Sequence, residues 1–344
     1  MTQCLLHEIN LQKDFLGDET IESIYFGGGT PSILPESAIQ QLIDEVRKVF
    51  KVADTIECTL EANPDDITAL KIKSYAAMGI NRLSIGIQSF FDDDLQFMNR
   101  AHDRLQAFEC ILLAKENGIS NISADLIFGF PLLTDEKWKQ NIDKMLQLNI
   151  PHISCYAMTV EPKTALASMI KKHKTKPLDD EVSARQYEYL MQRLMQAGYA
   201  HYEISNFALP GFEAKHNSSY WNDSSYLGIG PSAHSYNKQT RRWNEANNAL
   251  YIAQIQKNIL PYEEEILSNT DKINELIMVS IRQSRGLDLS LLSAKLNQSA
   301  LNQFMNKVNK WQNQQMLFIH NDHMICLTTK GKLFADGIAS DLFF

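Results

Sequence analysis

The sequence predicts an α/β protein: a partial (β/α)6 barrel lacking its first strand, followed by a C-terminal α+β appendage of winged-helix-like form. Three observations carry that reading. Between residues 21 and 160, short β-branched or apolar runs alternate with amphipathic helical stretches. A helix stands at the N-terminus with no strand in front of it. From about residue 270 the pattern is helical and ends in an alternating hairpin.

Taken in order, Leu5, Leu6, Ile9, Leu11 and Phe15 mark one face of the N-terminal helix, with Gly17 as its expected C-cap. The runs IESIYF, TIECTLEA, RLSIGIQS, NISADLIFGF and HISCYAMTV are expected parallel strands, and their nearly continuous apolar character suits a sheet buried on both faces. Helices are expected near 36–50, 66–78, 104–117 and 135–148. Beyond residue 160 the alternation breaks. The basic stretch KKHKTK (171–176) reads as a solvated loop, and a helix runs from LDDE to about Ala197. HYEISNFA and YLGIGPSAHSY read as strands flanking a polar loop, KHNSSYWND. LFIHNDHMICLT closes the chain as a hairpin with Asn321 and Asp322 at its turn. The expected domains are 1–165, 166–269 and 270–344.

Composition narrows the function classes. The 344 residues carry 33 Lys plus Arg against 41 Asp plus Glu, a net charge of −8, and 44% are hydrophobic. A sizeable core is available, and an acidic balance argues against a general nucleic-acid binder. Residues 270–344 carry only a slight basic excess, a weak footprint for a DNA-binding winged helix. No apolar run is long enough to span a bilayer and no signal-peptide core is present, so a cytoplasmic location is expected, with peripheral membrane association left open. Cys4, Cys58, Cys110, Cys155 and Cys326 are scattered, with no CxxC pair, which fits neither a disulfide framework nor a local metal site.

The most informative local signal is GGGTP, Gly27 to Pro31, directly after the strand IYF. Its glycines let backbone approach a ligand without a Cβ in the way, yet it has neither the Lys-Ser/Thr ending of a phosphate loop nor the GxGxxG spacing of dinucleotide folds. Each later strand also ends on polar groups: Glu61 and Asn63, then Gln88 and Ser89, then Asp125. In a β/α barrel such strand ends surround one cavity. Arg100 follows the third of these strands and suits a bidentate carboxylate contact. Singly, Asp125 reads as a satisfied buried acid and Arg100 as a surface ion-pair partner. Together they suit a small zwitterion carrying a ribose.

At these residues the chain resembles the radical S-adenosylmethionine (SAM) enzymes, specifically the oxygen-independent coproporphyrinogen III oxidase family and its heme-chaperone, HemW-type branch. IYFGGGTPS, EANPDD, LSIGIQSF, MNRAHD, DLIFGFP, HNSSYW and LGIGPSAHSY stand in the family's order over nearly the whole chain. The resemblance implies a radical SAM barrel, with Gly28, Gly29 and Glu61 at the methionyl amino group, Arg100 at its carboxylate, Gln88 and Asp125 at the ribose hydroxyls, and Thr30 as a further cofactor-binding residue. HNSSYW matches the HNxxYW motif of the chaperone branch, implying heme contact by His216, Tyr220 and Trp221, with His234 a weaker candidate. The bland alternative is a hydrogen-bonded loop with an aromatic anchor.

One departure bears on activity. The family holds a [4Fe-4S] cluster with a CxxxCxxC loop after its first strand, and no such loop occurs in these residues. The expectation is a chain shortened at its N-terminus, with no catalytic residue or cluster ligand of its own, unable to perform radical chemistry as written. The function expected is therefore a heme chaperone that accepts heme or a porphyrin and passes it to a protein partner. The alternative is a SAM-dependent coproporphyrinogen oxidase, when a cluster segment is present.

Overall fold

Each apolar run between residues 21 and 160 is a strand, because β-branched and aromatic residues at alternate positions fit a pleated surface with one face on a core. The computed structural model describes residues 1–344. In chain order the elements are α1 (Thr2–Leu11), β1 (Ile21–Phe26), α2 (Glu36–Val49), β2 (Val52–Ala62), α3 (Ala69–Ala77), β3 (Arg82–Gln88), α4 (Asp92–Phe97), α5 (Arg104–Glu116), β4 (Ile122–Phe128), α6 (Asp135–Gln147) and β5 (His152–Ala157). These are followed by α7 (Ala165–Lys171), α8 (Asp180–Gln196), β6 (Ala200–Glu203), β7 (Asn206–Ala208), α9 (Lys215–Trp221), β8 (His234–Tyr236), β9 (Thr240–Asn244), α10 (Asn248–Ile255) and β10 (Tyr262–Ile266). The C-terminal part holds α11 (Asn269–Ile281), β11 (Leu287–Asp288), α12 (Leu289–Ser293), α13 (Gln298–Asn313), β12 (Leu317–His320), β13 (Met324–Leu327), α14 (Thr329–Lys332) and α15 (Ala335–Leu342). The seven strands of the main sheet follow the order β1-β2-β3-β4-β5-β7-β6.

The chain forms two compact units. One comprises Gly29–Ile33 and Thr59–Glu213. Here β2 to β5 pair in parallel, and β7 and β6 continue the sheet as an antiparallel hairpin. The two faces of its parallel strands differ sharply. Leu60, Leu83, Ile85, Ile87, Ala124, Leu126, Phe128 and Ile153 form a dry face, each almost wholly buried. Phe128 stacks on Tyr187 of α8 at 5.8 Å and tilts against Trp138 of α6 at 5.5 Å, and the Trp138 indole donates to the Gln186 carbonyl at 2.8 Å. The opposite face carries Thr59 and Glu61, Ser84 and Gln88, Ser123 and Asp125, and His152 and Ser154. The strands are thus apolar on one side only, correcting the expectation of a sheet buried in hydrocarbon on both faces. Small Ser and Gly residues in LSIGI and SADLIF are the alternation that marks a polar interior.

The other unit comprises Met1–Gly28, Leu34–Cys58 and Ala214–Phe344. Here α1 packs on α2 and on α10, and β1, the neighbour of β2 in the sheet, packs on α9. Helix α1 ends at Leu11, where the Gln12 N–H closes on the Glu8 carbonyl; Gly17, the expected C-cap, instead serves a later turn at φ 59°. The Glu8 carboxylate is fully buried and takes hydrogen bonds from the Tyr251 hydroxyl (2.6 Å), the Asn244 amide (2.6 Å) and the Gly230 N–H (2.8 Å). Burial raises its pKa against the lowering by those donors.

YLGIGPSAHSY is extended only at its end, in β8, with one isolated bridge pairing Tyr226 and Tyr236. The rest is an irregular loop, because Gly230 sits at φ 109° and a Cβ on Gly228 would lie 2.2 Å from the His234 carbonyl oxygen. KHNSSYWND is likewise not a loop: it winds into α9. The expected closing hairpin forms as β12 and β13, with Asn321 and Asp322 both left-handed at its turn, and β11 joins it in the order β11-β13-β12.

Candidate functional sites

The first site lies on the polar face of the parallel strands. Strand β3 has a register irregularity between Ile85 and Gln88, so that Gln88 falls beside Leu126, and Gln88 itself takes φ 65°. Such a bulge turns a strand-end side chain away from the regular pleat. After α4, Asn99 adopts φ 54° and the Arg100 N–H returns to the Leu95 carbonyl at 2.9 Å, which brings the Arg100 side chain back to the sheet. Its Nη2 donates to Asn63 Oδ1 at 2.7 Å and to the Gly86 carbonyl at 3.3 Å. Gly86 makes this possible: a Cβ there would lie 2.8 Å from Gln88 Nε2 and 3.2 Å from Arg100 Nη2. Asn63, Gln88 and Arg100 therefore converge above a strand position that has no side chain.

Asp125 belongs to the same cluster. Burial pushes its carboxyl up to about 7; the Ser154 hydroxyl works against this, Glu61 adds to it and the Arg100 guanidinium lowers it. A carboxyl that titrates near neutrality can donate or accept a hydrogen bond as a ligand demands. Gly29 has open space where a side chain would be. The single helical turn that follows it, Pro31–Ile33, is tied down by Ser32, whose hydroxyl donates to Asp66 at 2.7 Å and whose carbonyl accepts from the Lys71 ammonium at 2.9 Å. Thr30 anchors that turn through its carbonyl, which accepts the Ile33 N–H. Gly28 requires its glycine for a different reason, a φ of 79°.

Of the strand-end residues singled out from sequence, Ser89 alone is elsewhere. Its buried hydroxyl donates to Asp94 at 2.8 Å and accepts from the Asn141 amide at 3.1 Å, fixing the start of α4. Sequence reasoning passed over Gly86, Ser154 and His152. His152 is buried with its Nδ1 2.7 Å from Ser123 Oγ and its Nε2 2.7 Å from the Tyr202 hydroxyl, and burial holds its pKa well below the ordinary value. Alternation with Asp125 on neighbouring strands was the available signal for Ser154 and His152. For Gly86 no signal existed beyond the glycine itself.

The second site is built on α9. Glu57, buried on β2, accepts the backbone N–H groups of Lys215 (3.1 Å) and His216 (3.0 Å), and so satisfies two of the donors left open at a helix start. That holds His216 against β1: its ring stacks on Tyr25 at 4.5 Å, and its Nδ1 lies 3.2 Å from Ser23 Oγ. One helical turn on, the Tyr220 hydroxyl lies 3.1 Å from His216 Nε2, and the Tyr220 ring meets His216 and Tyr226 edge-on. Burial pushes the His216 pKa down to about 4, with Glu57 opposing, and pushes the Tyr220 phenol up to about 12. The imidazole is therefore neutral at physiological pH.

Trp221 occupies a different side of the helix. Its carbonyl accepts from Gln283 and Arg285, both at 3.1 Å, the Arg282 guanidinium sits 5.9 Å from its ring, and its buried Nε1 has no hydrogen-bond partner. His216 and Tyr220 thus stand together, with Trp221 adjacent. His234 is exposed on β8, paired in register with Trp243.

A [4Fe-4S] cluster does not fit the cysteines of this chain. All five are buried and unbridged, and no three His, Cys, Asp or Glu side chains come together as a metal site. Burial raises the thiols of Cys58 and Cys110 to about 12.

Comparison with known proteins places the chain in a family. The model described as the radical SAM superfamily matches residues 7–158, and that of the HemN C-terminal domain matches residues 267–334. The heme chaperone HemW of Bacillus subtilis (strain 168) is 34% identical over 324 residues, covering 94% of this chain and 85% of that protein. The heme chaperone HemW of Lactococcus lactis subsp. lactis (strain IL1403) is 33% identical over 316 residues, covering 91% and 82%. Among solved structures, the coproporphyrinogen III oxidase (HemN) from Escherichia coli superposes with a TM-score of 0.84 over 99% of this chain and 82% of its own, at 22% identity, a likeness of fold alone.

Proposed function

Because the chain belongs to the HemW-type family of radical SAM proteins, we propose that it is a heme-handling protein, binding heme at α9 for transfer to a protein acceptor and holding SAM at the polar strand ends. The observation that carries the heme assignment is the ring cluster of α9: a neutral, stacked imidazole beside a half-exposed phenol, both held by a buried carboxylate at the helix start. Neutral imidazole and phenol oxygen are both iron donors, and aromatic faces suit a porphyrin.

The polar strand ends offer SAM a guanidinium for its carboxylate and carboxyl and amide groups for its amino and hydroxyl groups. In this reading Gly28, Gly29 and Glu61 receive the methionyl amino group, Arg100 pairs with the carboxylate, Gln88 and Asp125 meet the ribose hydroxyls, and Thr30 is a further cofactor-binding residue. When bound, SAM supplies a zwitterionic head and an adenosyl group. The protein's part is orientation: Arg100 is already held by Asn63, so it meets a carboxylate without first being ordered. No electron-transfer step follows from these residues, since none of their cysteines suits a cluster. The oxidase alternative has only a likeness of fold behind it and is not preferred.

The test is a titration of the full chain with ferric hemin, followed by absorption and by quenching of tyrosine and tryptophan fluorescence. One saturable site per chain, weakened by substitution of His216 and Tyr220 together, is expected. Binding that is indifferent to that double substitution would remove heme from α9. Calorimetry with SAM and S-adenosylhomocysteine, on the chain and on Arg100→Ala, separately tests the strand-end site.

A further inference from the structure

We propose that Tyr220, not His216, is the iron ligand for ferric heme, with His216 as the positioning residue that orients the phenol. The proposal rests on the heme reading of α9 and specifies its chemistry. His216 offers no open nitrogen: Nδ1 is taken by Ser23 Oγ at 3.2 Å and Nε2 by the Tyr220 hydroxyl at 3.1 Å. One face of its ring is covered by Tyr25 at 4.5 Å, and its backbone N–H is held by Glu57 at 3.0 Å. Three elements, β1, β2 and α9, pin that ring, and ligation through either nitrogen would require a hydrogen bond to break and a side chain to move away.

Tyr220 is placed differently. The residue is 42% exposed, and its ring is oriented by edge contacts with His216 and Tyr226. With Nδ1 facing Ser23 Oγ, Nε2 faces the Tyr220 hydroxyl. On binding, the phenolic O–H bond breaks and an Fe–O bond forms. The water on the ferric iron leaves, and the phenolic proton is released to solvent. The iron stays ferric and no electron is transferred. A phenolate is a hard anionic ligand, matched to Fe(III) and poorly matched to Fe(II). Such a site would therefore hold oxidised heme and release it on reduction, a useful property in a carrier.

The experiment compares the full chain with Tyr220→Phe and His216→Gln, using hemin titration, electron paramagnetic resonance and resonance Raman spectroscopy, with circular dichroism as the control for folding. The wild-type complex should be high-spin ferric, show tyrosinate ring modes enhanced through a charge-transfer band, and lose heme on reduction with dithionite. Tyr220→Phe keeps the ring and should abolish those modes. His216→Gln should keep them at shifted frequency while weakening binding about tenfold, as loss of an outer-sphere hydrogen bond does at other metal sites. Tyr220→Phe should weaken binding more than His216→Gln does. A low-spin imidazole signature that survives Tyr220→Phe and disappears in His216→Gln would overturn the proposal and leave heme binding at α9 intact. Wild-type affinity and spectra in both variants would overturn the proposal together with the heme reading of α9.

Discussion

Asp125 shows how a single residue can serve a site at the expense of the fold. Its carboxyl ionises near 3.8 in an unfolded chain and about 7 in the folded one. Between those values the folded state keeps a proton that the unfolded state has released, so this residue's contribution to stability falls as pH rises from about 4 to about 7 and then levels off. The full effect is on the order of 4 kcal/mol at 1.36 kcal/mol per pH unit. Asp125→Asn should therefore melt at a higher temperature than wild type at pH 8, with the difference vanishing toward pH 4, while SAM affinity falls. Thermal melts of both proteins across that range check this, and an Asn variant no more stable at pH 8 would refute the burial argument. His152, buried neutral, acts in the opposite sense below its ordinary pKa of 6.5, but it is common to both proteins and cancels from the difference.

At the scale of elements, the bulge in β3 and the start of α9 each place a site. Gly86→Ala would push a methyl group toward Gln88 Nε2 and Arg100 Nη2, both ends of flexible side chains. They should give way at small cost in stability, roughly 1 kcal/mol, while the displaced guanidinium loses Asn63. A large fall in SAM affinity with a small change in melting temperature is the expected pattern, measured by calorimetry and thermal denaturation. Glu57→Ala removes the side-chain acceptor of two backbone N–H groups of α9. It should destabilise by about 2–3 kcal/mol and weaken hemin binding, because the first turn of a seven-residue helix has little else to hold it. Unchanged amide exchange at residues 215–217 in that variant would show that Glu57 does not anchor the helix.

At the scale of the molecule, the five cysteines behave as core hydrophobes. All are buried, and burial raises the thiols of Cys58, Cys110, Cys155 and Cys326. A thiol reagent at neutral pH should label almost none of them in the native protein and all five in denaturant; rapid native labelling would contradict their placement. The dry face of the sheet predicts a second whole-molecule response. Ile85, fully buried on β3, should cost about 2–5 kcal/mol when replaced by Ala, read as a shift in denaturation midpoint. No helix is long and apolar enough to cross a membrane.

The order of strands and helices, the closing hairpin and the polar strand ends were legible in the sequence, because period-2 and period-3.6 patterns and turn residues act over a few neighbours. Arg100 and Asp125 belonged to that strand-end reading; family motifs added their expected roles and the HNSSYW segment. The helical state of that segment was not legible, since HNSSYW has weak helix propensity and α9 is held by Glu57, 159 positions away from His216. The role of Ser89 was hidden for the same reason: its partners Asp94 and Asn141 are found only when the chain folds back. Local periodicity determined which residues could form the elements. Which polar groups share a cavity, which nitrogen of His216 is occupied and which carboxyl titrates near neutrality were decided by tertiary structure, because burial and hydrogen bonding depend on neighbours distant in sequence.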